Sequence, residues 1–154
     1  MLKDIILLYK YRKFRVLGKA LAEFICRSLG KKEELWKGVE VVVSVPLHPK
    51  RRRERGFNQA EVIADQLAKK KGIECTHRAL IKIRNTLPQT SLLAEERRKN
   101  VKGAMGIREK EKIAGKTVLL VDDVYTTGAT MGECSVALKR GGAKEVRALT
   151  LAQA

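Results

Sequence analysis

The sequence predicts an α/β protein in which a mostly parallel central sheet is flanked by helices. Three short apolar runs have the length and β-branched composition of strands, and segments of helical periodicity lie between them. Near-continuous apolarity in these runs indicates burial on both faces, as in a parallel sheet. Strands that alternate with helices in this way are typical of right-handed βαβ units.

The first half of the chain begins with predicted helices. Residues 2–29 carry apolar side chains at helical spacing around a basic interruption, which fits one bent helix or two. Residues 39–46 (VEVVVSVP) form the first predicted strand, and a basic loop follows Pro46. FNQAEVIADQLAKKKG then predicts a helix with Asn58 as its N-cap and Gly72 as its C-terminal stop.

The second half repeats the alternation. ECTHRALIKIR predicts a second strand, residues 85–100 a polar loop with one or two helical turns, and VKGAMGI a short strand. TVLLV predicts a strongly buried strand, MGECSVALKRGG a helix that Gly141 and Gly142 stop, and EVRALTLA the final strand. Ligands of such sheets bind beyond the carboxyl ends of the strands, so the segments after Val45 and Val121 are the candidate sites.

Composition restricts the partners. A chain of 154 residues suits one domain, and its formal net charge of +16 implies an anionic partner: nucleic acid, an acidic membrane surface or a polyphosphorylated small molecule. No apolar run approaches the ~20 residues that span a bilayer, and no signal peptide is apparent. We therefore expect a cytoplasmic protein without a membrane partner.

Several familiar sites are not predicted. GKT at residues 115–117 lacks the upstream glycine of a phosphate-binding P-loop and precedes a strand instead of following it. No GxGxxG occurs, and spacing suggests no Ser-His-Asp arrangement. The three cysteines are scattered, which suits reduced thiols, and Cys75 with His77 offers too few ligands for zinc. We predict no metal bound directly by protein side chains.

The run TVLLVDDVYTTGAT places Asp122 and Asp123 where the predicted strand ends. Carboxylates only accept hydrogen bonds, so the pair suits a ligand with hydroxyl donors, such as the diol of a ribose. Residues 126–130 add threonine hydroxyls and a glycine turn that enters a helix, whose amino end favours phosphate. The run predicts a ribose 5-phosphate site; the alternative is that these residues only cap the turn and the helix.

The run VLLVDDVYTTGAT resembles the phosphoribosyl pyrophosphate (PRPP) motif of type I phosphoribosyltransferases, with apolar residues, two acids and a hydroxyl-glycine loop. VPLHPKRRRERGFNQAEVIADQLA and PQTSLLAEERRKNVKGAM resemble the ComF branch, which is associated with competence and DNA utilisation in bacteria. The resemblance extends from about Leu2 to the end of the chain. It implies a type I phosphoribosyltransferase-like fold with a mobile hood or loop, for which residues 85–100 are the candidate.

The resemblance also implies site residues. The ribose 5-phosphate set is Asp122, Asp123, Val124, Tyr125, Thr126, Thr127, Gly128, Ala129 and Thr130. The pyrophosphate set is Leu47, His48, Pro49, Lys50, Arg51, Arg52 and Arg97, and the catalytic set is Asp122, Asp123, Arg53 and Arg55. Arginines suit a diphosphate through their bidentate geometry. His48 is either a general base or acceptor contact, or a structural residue.

In the loop candidate, Arg84, Gln89, Arg97 and Asn100 stand out. Arg97 and Arg98 either reach the pyrophosphate when the loop closes or remain solvated helix charges. The implied reaction is displacement of pyrophosphate from PRPP by an unidentified nitrogenous acceptor, through an oxocarbenium-like transition state. It needs no protein nucleophile. Mg²⁺ would be held by PRPP and water, and a homodimer is the usual assembly of the superfamily.

Two other functions remain open: a non-catalytic regulator that binds PRPP or a nucleotide, and a nucleic-acid-binding competence factor. Aromatic residues make up 5% of the chain, which is too few for a stacking platform of the single-strand type. Many ComF relatives carry an upstream cysteine-rich zinc module that these residues do not contain. We therefore expect either a single domain over residues 1–154, with a helical part over residues 1–35, or a truncated reading frame.

Overall fold

A computed structural model of the chain describes residues 23, 33–86 and 94–153. In chain order its elements are α1 (Glu33–Trp36), β1 (Val41–Ser44), α2 (Pro49–Arg55), α3 (Gln59–Lys71), β2 (Glu74–Thr76), β3 (Leu80–Lys82), α4 (Ala94–Val101), β4 (Met105–Ile107), a 3₁₀ turn (Lys110–Lys112), β5 (Thr117–Tyr125), α5 (Ala129–Arg140) and β6 (Glu145–Gln153). The predicted helices of residues 2–29 lie outside the described residues, except for Glu23, which is helical.

Four of the described strands form one parallel sheet in the order β2-β1-β5-β6. Helix α3 leads from β1 outward to β2, whereas α5 leads from β5 outward to β6 in the opposite direction. The order therefore reverses between β1 and β5, and a crevice at such a switch point is where open α/β sheets bind ligands. The predicted α/β architecture is confirmed.

Both faces of the sheet are buried. On one face, Val43 and Leu120 pack in a core cluster that includes Leu138 of α5. On the other face, Val42 and Leu119 pack in a second cluster that includes Leu67 of α3. Burial on both faces explains why the strands have nearly continuous apolar sequences.

Helix α3 begins and ends where the sequence predicts. The Asn58 side chain accepts a hydrogen bond from the Ala60 amide at 3.1 Å. Gly72 adopts a left-handed conformation (φ 66°) and donates its N–H to the carbonyls of Ala68 and Lys69. These are an ordinary N-cap and an ordinary glycine C-terminal stop, and both predictions are confirmed.

The basic segment that the sequence predicts as a loop is a helix, α2. The His48 side chain accepts from the Lys50 amide at 3.3 Å, and Pro49 occupies the first helical position, where its missing N–H costs nothing. Gly56 ends the helix with a φ of 79° and donates its N–H to the Arg52 carbonyl. The loop prediction was wrong because these capping signals lie next to a dense run of charges.

The single strand predicted from ECTHRALIKIR is two strands, β2 and β3. The Thr76 hydroxyl accepts a hydrogen bond from the Arg78 amide at 3.3 Å, which turns the chain directly after β2. Strand β2 joins the parallel sheet, whereas β3 pairs with β4 in a separate antiparallel ribbon. The sequence does not reveal this turn, because apolar residues alternate across the segment as they would in a single strand.

Two boundaries near the acid pair also differ from prediction. Strand β5 continues past Val121 to Tyr125, so Asp122 and Asp123 lie within the strand. Strand β1 ends opposite Val121, whereas β6 continues to pair along Tyr125. Helix α5 begins at Ala129, two residues before the predicted start. Strand β4 is confirmed at Met105–Ile107, and α4 supplies the helical turns expected within residues 85–100.

No helix in the ranges that the structure describes combines the length and apolar character that crossing a bilayer requires.

Candidate functional site

The two strand ends that the sequence singles out are neighbours. The Val45 amide donates to the Val121 carbonyl at 2.8 Å, just past the last paired residue of β1. Beyond this bond, the chain from β1 enters the basic helix α2, and the chain of β5 continues into the acid pair. Residues 47–55 and residues 122–130 therefore flank one crevice at the switch point.

The acid pair lies at the edge of this crevice. Asp123 is buried and Asp122 is half-buried, and the Asp122 Oδ1 accepts from the Asp123 amide at 2.8 Å. Neighbouring residues of a strand point to opposite faces, so the two carboxylates leave β5 on different sides. Because β1 ends at Ser44, no β1 residue pairs with the acid-bearing part of β5.

A glycine turn connects β5 to α5. Gly128 has a φ of 74°, a left-handed conformation that favours glycine, and a Cβ at this position would lie 2.8 Å from the Cζ atom of the Tyr125 ring, which would have to shift. Among the described residues, no side chain caps the amino end of α5, and the buried Thr127 Oγ1 has no hydrogen-bond partner. A buried hydroxyl and uncapped amides at a helix start form a suitable phosphate cradle.

Lys82 of β3 is a further candidate for this site that the sequence-based prediction missed. Its side chain is half-buried. Burial, and then the charge of Arg51, lower the pKa of its ammonium group, whereas the charge of Asp122 acts in the opposite direction. The signal in the sequence was its position two residues after the buried Leu80, on the same face of the strand.

The basic side chains of α2 have different environments. The Arg51 Nη2 donates to the Thr86 carbonyl at 3.2 Å, which connects α2 to the segment after β3. Arg52 forms an ion pair with Glu61 of α3. Arg53 is exposed, and Arg55 is half-buried. Arg51 and Arg55 are thus less exposed to solvent than Arg53.

His48 and Arg84 have structural contacts. His48 caps α2, which favours the structural alternative for this residue. The Arg84 Nη2 donates to the carbonyls of Asn100 and Lys102, at 3.1 and 2.7 Å, and so joins the two ends of the predicted mobile loop. Gln89 lies outside the described residues, as do the side chains of Arg97 and Arg98.

A model of the phosphoribosyl transferase domain matches residues 53–154 of this chain. The chain belongs to the phosphoribosyltransferase domain family. The match includes the acid pair, the glycine turn and most of the parallel sheet, so the family assignment and the geometry concern the same residues.

Relatives of this phosphoribosyltransferase-type chain confirm the predicted ComF branch. It is 31% identical to competence protein F of Haemophilus influenzae over 149 residues, which are 95% of this chain and 65% of that protein. It is 30% identical to competence protein ComFC of Streptococcus pneumoniae, covering 97% and 62%. It is 37% identical to the DNA utilization protein YhgH of Salmonella typhi, covering 69% and 46%. The chain spans about half to two thirds of the length of these relatives.

Solved structures show the same fold. The allosteric regulatory enzyme of purine biosynthesis matches with a TM-score of 0.56 at 20% identity, over 87% of this chain and 25% of that one. A hypoxanthine phosphoribosyltransferase from Staphylococcus aureus matches with a TM-score of 0.53 at 15% identity, over 88% and 64%. At these identities the comparison establishes the phosphoribosyltransferase fold alone.

Proposed function

We propose that this protein binds PRPP with Mg²⁺ in the switch-point crevice and transfers the phosphoribosyl group to a nitrogenous acceptor, releasing pyrophosphate. One observation carries the proposal: β1 and β5 are parallel neighbours, so the basic segment that follows β1 lies at the same edge of the sheet as the acid pair and the glycine turn of β5 and α5. The site thus offers hydrogen-bond acceptors for hydroxyl groups beside donors and positive charge for phosphates. This arrangement is complementary to PRPP, which carries both kinds of group.

The acid pair accepts hydrogen bonds from the two ribose hydroxyls. Asp122 and Asp123 supply carboxylate oxygens beyond the end of β1, where the crevice is open to a ligand. Carboxylates only accept hydrogen bonds, so we propose this pair as the acceptors for the ribose diol.

The glycine turn receives the 5-phosphate. The Thr127 hydroxyl is buried and, among the described residues, lacks a partner. A phosphate oxygen would supply that partner, and amides in the first turn of α5 would donate further hydrogen bonds. The left-handed Gly128 lets the backbone turn closely around the phosphate.

The pyrophosphate lies toward Arg51, Arg55 and Lys82. Arginines neutralise a diphosphate and can hold it in bidentate fashion. Lys82 is half-buried, so its charge acts at short range with little screening by solvent. Mg²⁺ suits this position because it keeps several of its waters and binds substrate phosphates with few protein ligands; when bound, it offsets diphosphate charge.

In the reaction, the bond from the anomeric carbon to the pyrophosphate oxygen breaks, and a bond from that carbon to the acceptor nitrogen forms. The leaving oxygen takes the bonding electron pair, and the acceptor nitrogen loses a proton to solvent. The protein contributes position and charge: it holds the ribose by its hydroxyls and stabilises the departing diphosphate with cations.

The test is pyrophosphate release from PRPP and Mg²⁺ with a panel of purine, pyrimidine and amine acceptors. Release that depends on one acceptor, and that falls at least tenfold in Arg51→Ala, supports the transferase. Binding of PRPP without release in the presence of any acceptor would favour the non-catalytic regulator instead.

A second candidate function is binding of nucleic acid. Its support is the net charge of +16 together with relatives named for competence and DNA utilization. DNA binding with a steep decrease in affinity as salt rises, unchanged in Asp122→Asn, would indicate a surface separate from the crevice. Competition between DNA and PRPP would place both ligands at the crevice.

A further inference from the structure

A cluster of three potential metal ligands lies at the carboxyl end of β2, outside the proposed PRPP crevice. Asp65 of α3, Cys75 of β2 and His77 present one ligand atom each, and these atoms lie within 4.8 Å of one another. The His77 Nε2 is 2.8 Å from the Asp65 Oδ1 and 3.9 Å from the Cys75 Sγ. Sequence spacing alone could not bring in Asp65, because it comes from the preceding helix.

The geometry is close to that of a zinc site. From ordinary zinc–ligand bond lengths, tetrahedral coordination separates nitrogen and oxygen ligands by about 3.4 Å, and nitrogen and sulfur ligands by about 3.6 Å. The observed nitrogen–oxygen distance of 2.8 Å is shorter than the first value, and the observed nitrogen–sulfur distance of 3.9 Å is longer than the second. Small rotations of the exposed Asp65 and of Cys75 would suffice to admit an ion, which leaves a fourth position for water.

A fourth residue orients the histidine. The Ser44 Oγ lies 2.9 Å from the His77 Nδ1. When Nδ1 carries the ring proton and donates to Ser44, the Nε2 lone pair faces Asp65 and Cys75, which is the tautomer that binds metal. Ligating histidines commonly have such a partner on their other nitrogen.

The same residues form a Ser-His-Asp chain of hydrogen bonds, but its exposure is the reverse of a hydrolase triad. Ser44 is only 1% exposed, whereas the Asp65 side chain is 56% exposed. A nucleophile must be accessible to its substrate, and the orienting acid is normally buried. Ser44 therefore supports His77 and does not attack a substrate.

Coordination to a divalent ion deprotonates a thiol, so Cys75 would bind the ion as a thiolate. A divalent ion bound by the Asp65 carboxylate and the Cys75 thiolate would form a site with no net charge.

We propose that Asp65, Cys75 and His77 form a site for a zinc-class divalent ion, with Ser44 as the positioning residue for His77. The bound ion joins α3 to the end of β2. Through Ser44, the last residue of β1, it also supports the segment that leads into α2. The site is independent of PRPP, so its test does not depend on the proposed function.

The experiment is a titration of the chelator-treated full chain with Co²⁺, followed by absorption spectroscopy, and then with Zn²⁺, followed by thermal unfolding. We expect one equivalent of Co²⁺ to give a thiolate-to-cobalt charge-transfer band and the intensity of tetrahedral cobalt. Zn²⁺ should displace Co²⁺ and raise the melting temperature.

The variants identify the ligands. Cys75→Ser should lose the charge-transfer band, and Ser44→Ala should weaken cobalt binding about 10–100-fold. Cys134→Ala, which alters a fully buried cysteine elsewhere in the core, should keep both the band and the affinity. A band that is absent from the wild type, that survives in Cys75→Ser, or that disappears in Cys134→Ala would overturn the proposal.

Discussion

Gly128 is the residue whose backbone most restricts the proposed phosphate site. It combines a left-handed φ with close approach of the Tyr125 ring, so a side chain there would strain the backbone and displace that ring. Most other residues of the glycine turn contribute groups that a different polar residue could imitate, whereas Gly128 contributes the path of the chain.

We predict that Gly128→Ala destabilises the protein by at least about 1 kcal/mol and abolishes measurable PRPP binding. The measurements are chemical denaturation and calorimetry. Gly132→Ala is the matched control in the same helix: a Cβ there meets nothing within 4 Å, so it should stabilise by up to about 1 kcal/mol and leave binding intact. Equal loss of binding in both variants would refute the role of Gly128.

Lys82 illustrates a conflict between stability and function. Its folded-state pKa lies below the ordinary lysine value, so the unfolded chain holds this proton more tightly than the folded one. Stability therefore rises with pH as the pH passes from the folded value toward the ordinary one. At neutral pH the charged lysine opposes folding.

We predict that Lys82→Met raises the free energy of unfolding at neutral pH, within the roughly 0.5–2 kcal/mol that stabilising substitutions commonly give, and weakens PRPP binding at least tenfold. Lys69→Met, at an exposed position of α3, should change neither quantity appreciably. If Lys82→Met destabilised the protein and left binding unchanged, Lys82 would be a packing residue and not a ligand contact.

At the scale of elements, Asn58 connects helix α3 to the segment that leaves β1. Its side-chain oxygen caps the helix, and its amide nitrogen donates to the Val45 carbonyl at 2.9 Å. Since Val45 also donates to Val121, this one side chain fixes the distance between α3 and the crevice.

We predict that Asn58→Ala costs about 2–4 kcal/mol in urea denaturation, because it removes the cap and leaves a buried carbonyl unpaired. Asn58→Ser should keep the cap through its hydroxyl and lose only the bond to Val45, so its cost should be smaller. A cost for Asn58→Ala no greater than that of Asn58→Ser would show that the cap contributes little.

The sequence predicts elements well where their signals are local. Strand composition, the Asn58 cap and the Gly72 stop all act within a few residues, and they located α3 correctly. The helix α2 and the break between β2 and β3 escaped prediction because capping by His48 and a turn at Thr76 compete with stronger patterns of charge and alternation.

At the scale of the whole molecule, the strand order determines the site. The sequence identified the segments after Val45 and Val121 as candidates, but only pairing between distant strands shows that they are neighbours. Lys82 and Asp65 escaped for the same reason, since each comes from another element. The net charge of +16 fits a polyphosphate ligand, and in the proposed function the two acids accept hydrogen bonds from its hydroxyls.

The central claim is that the acid pair binds the ribose of PRPP, and calorimetric titration with PRPP and Mg²⁺ tests it most directly. We predict saturable binding to the wild-type protein and at least a hundredfold weaker binding to the double variant Asp122→Asn with Asp123→Asn. Glu145→Gln, far from the crevice at the start of β6, is the control for the loss of a carboxylate charge elsewhere and should bind normally. Equal affinity in the wild type and the double variant would contradict the account.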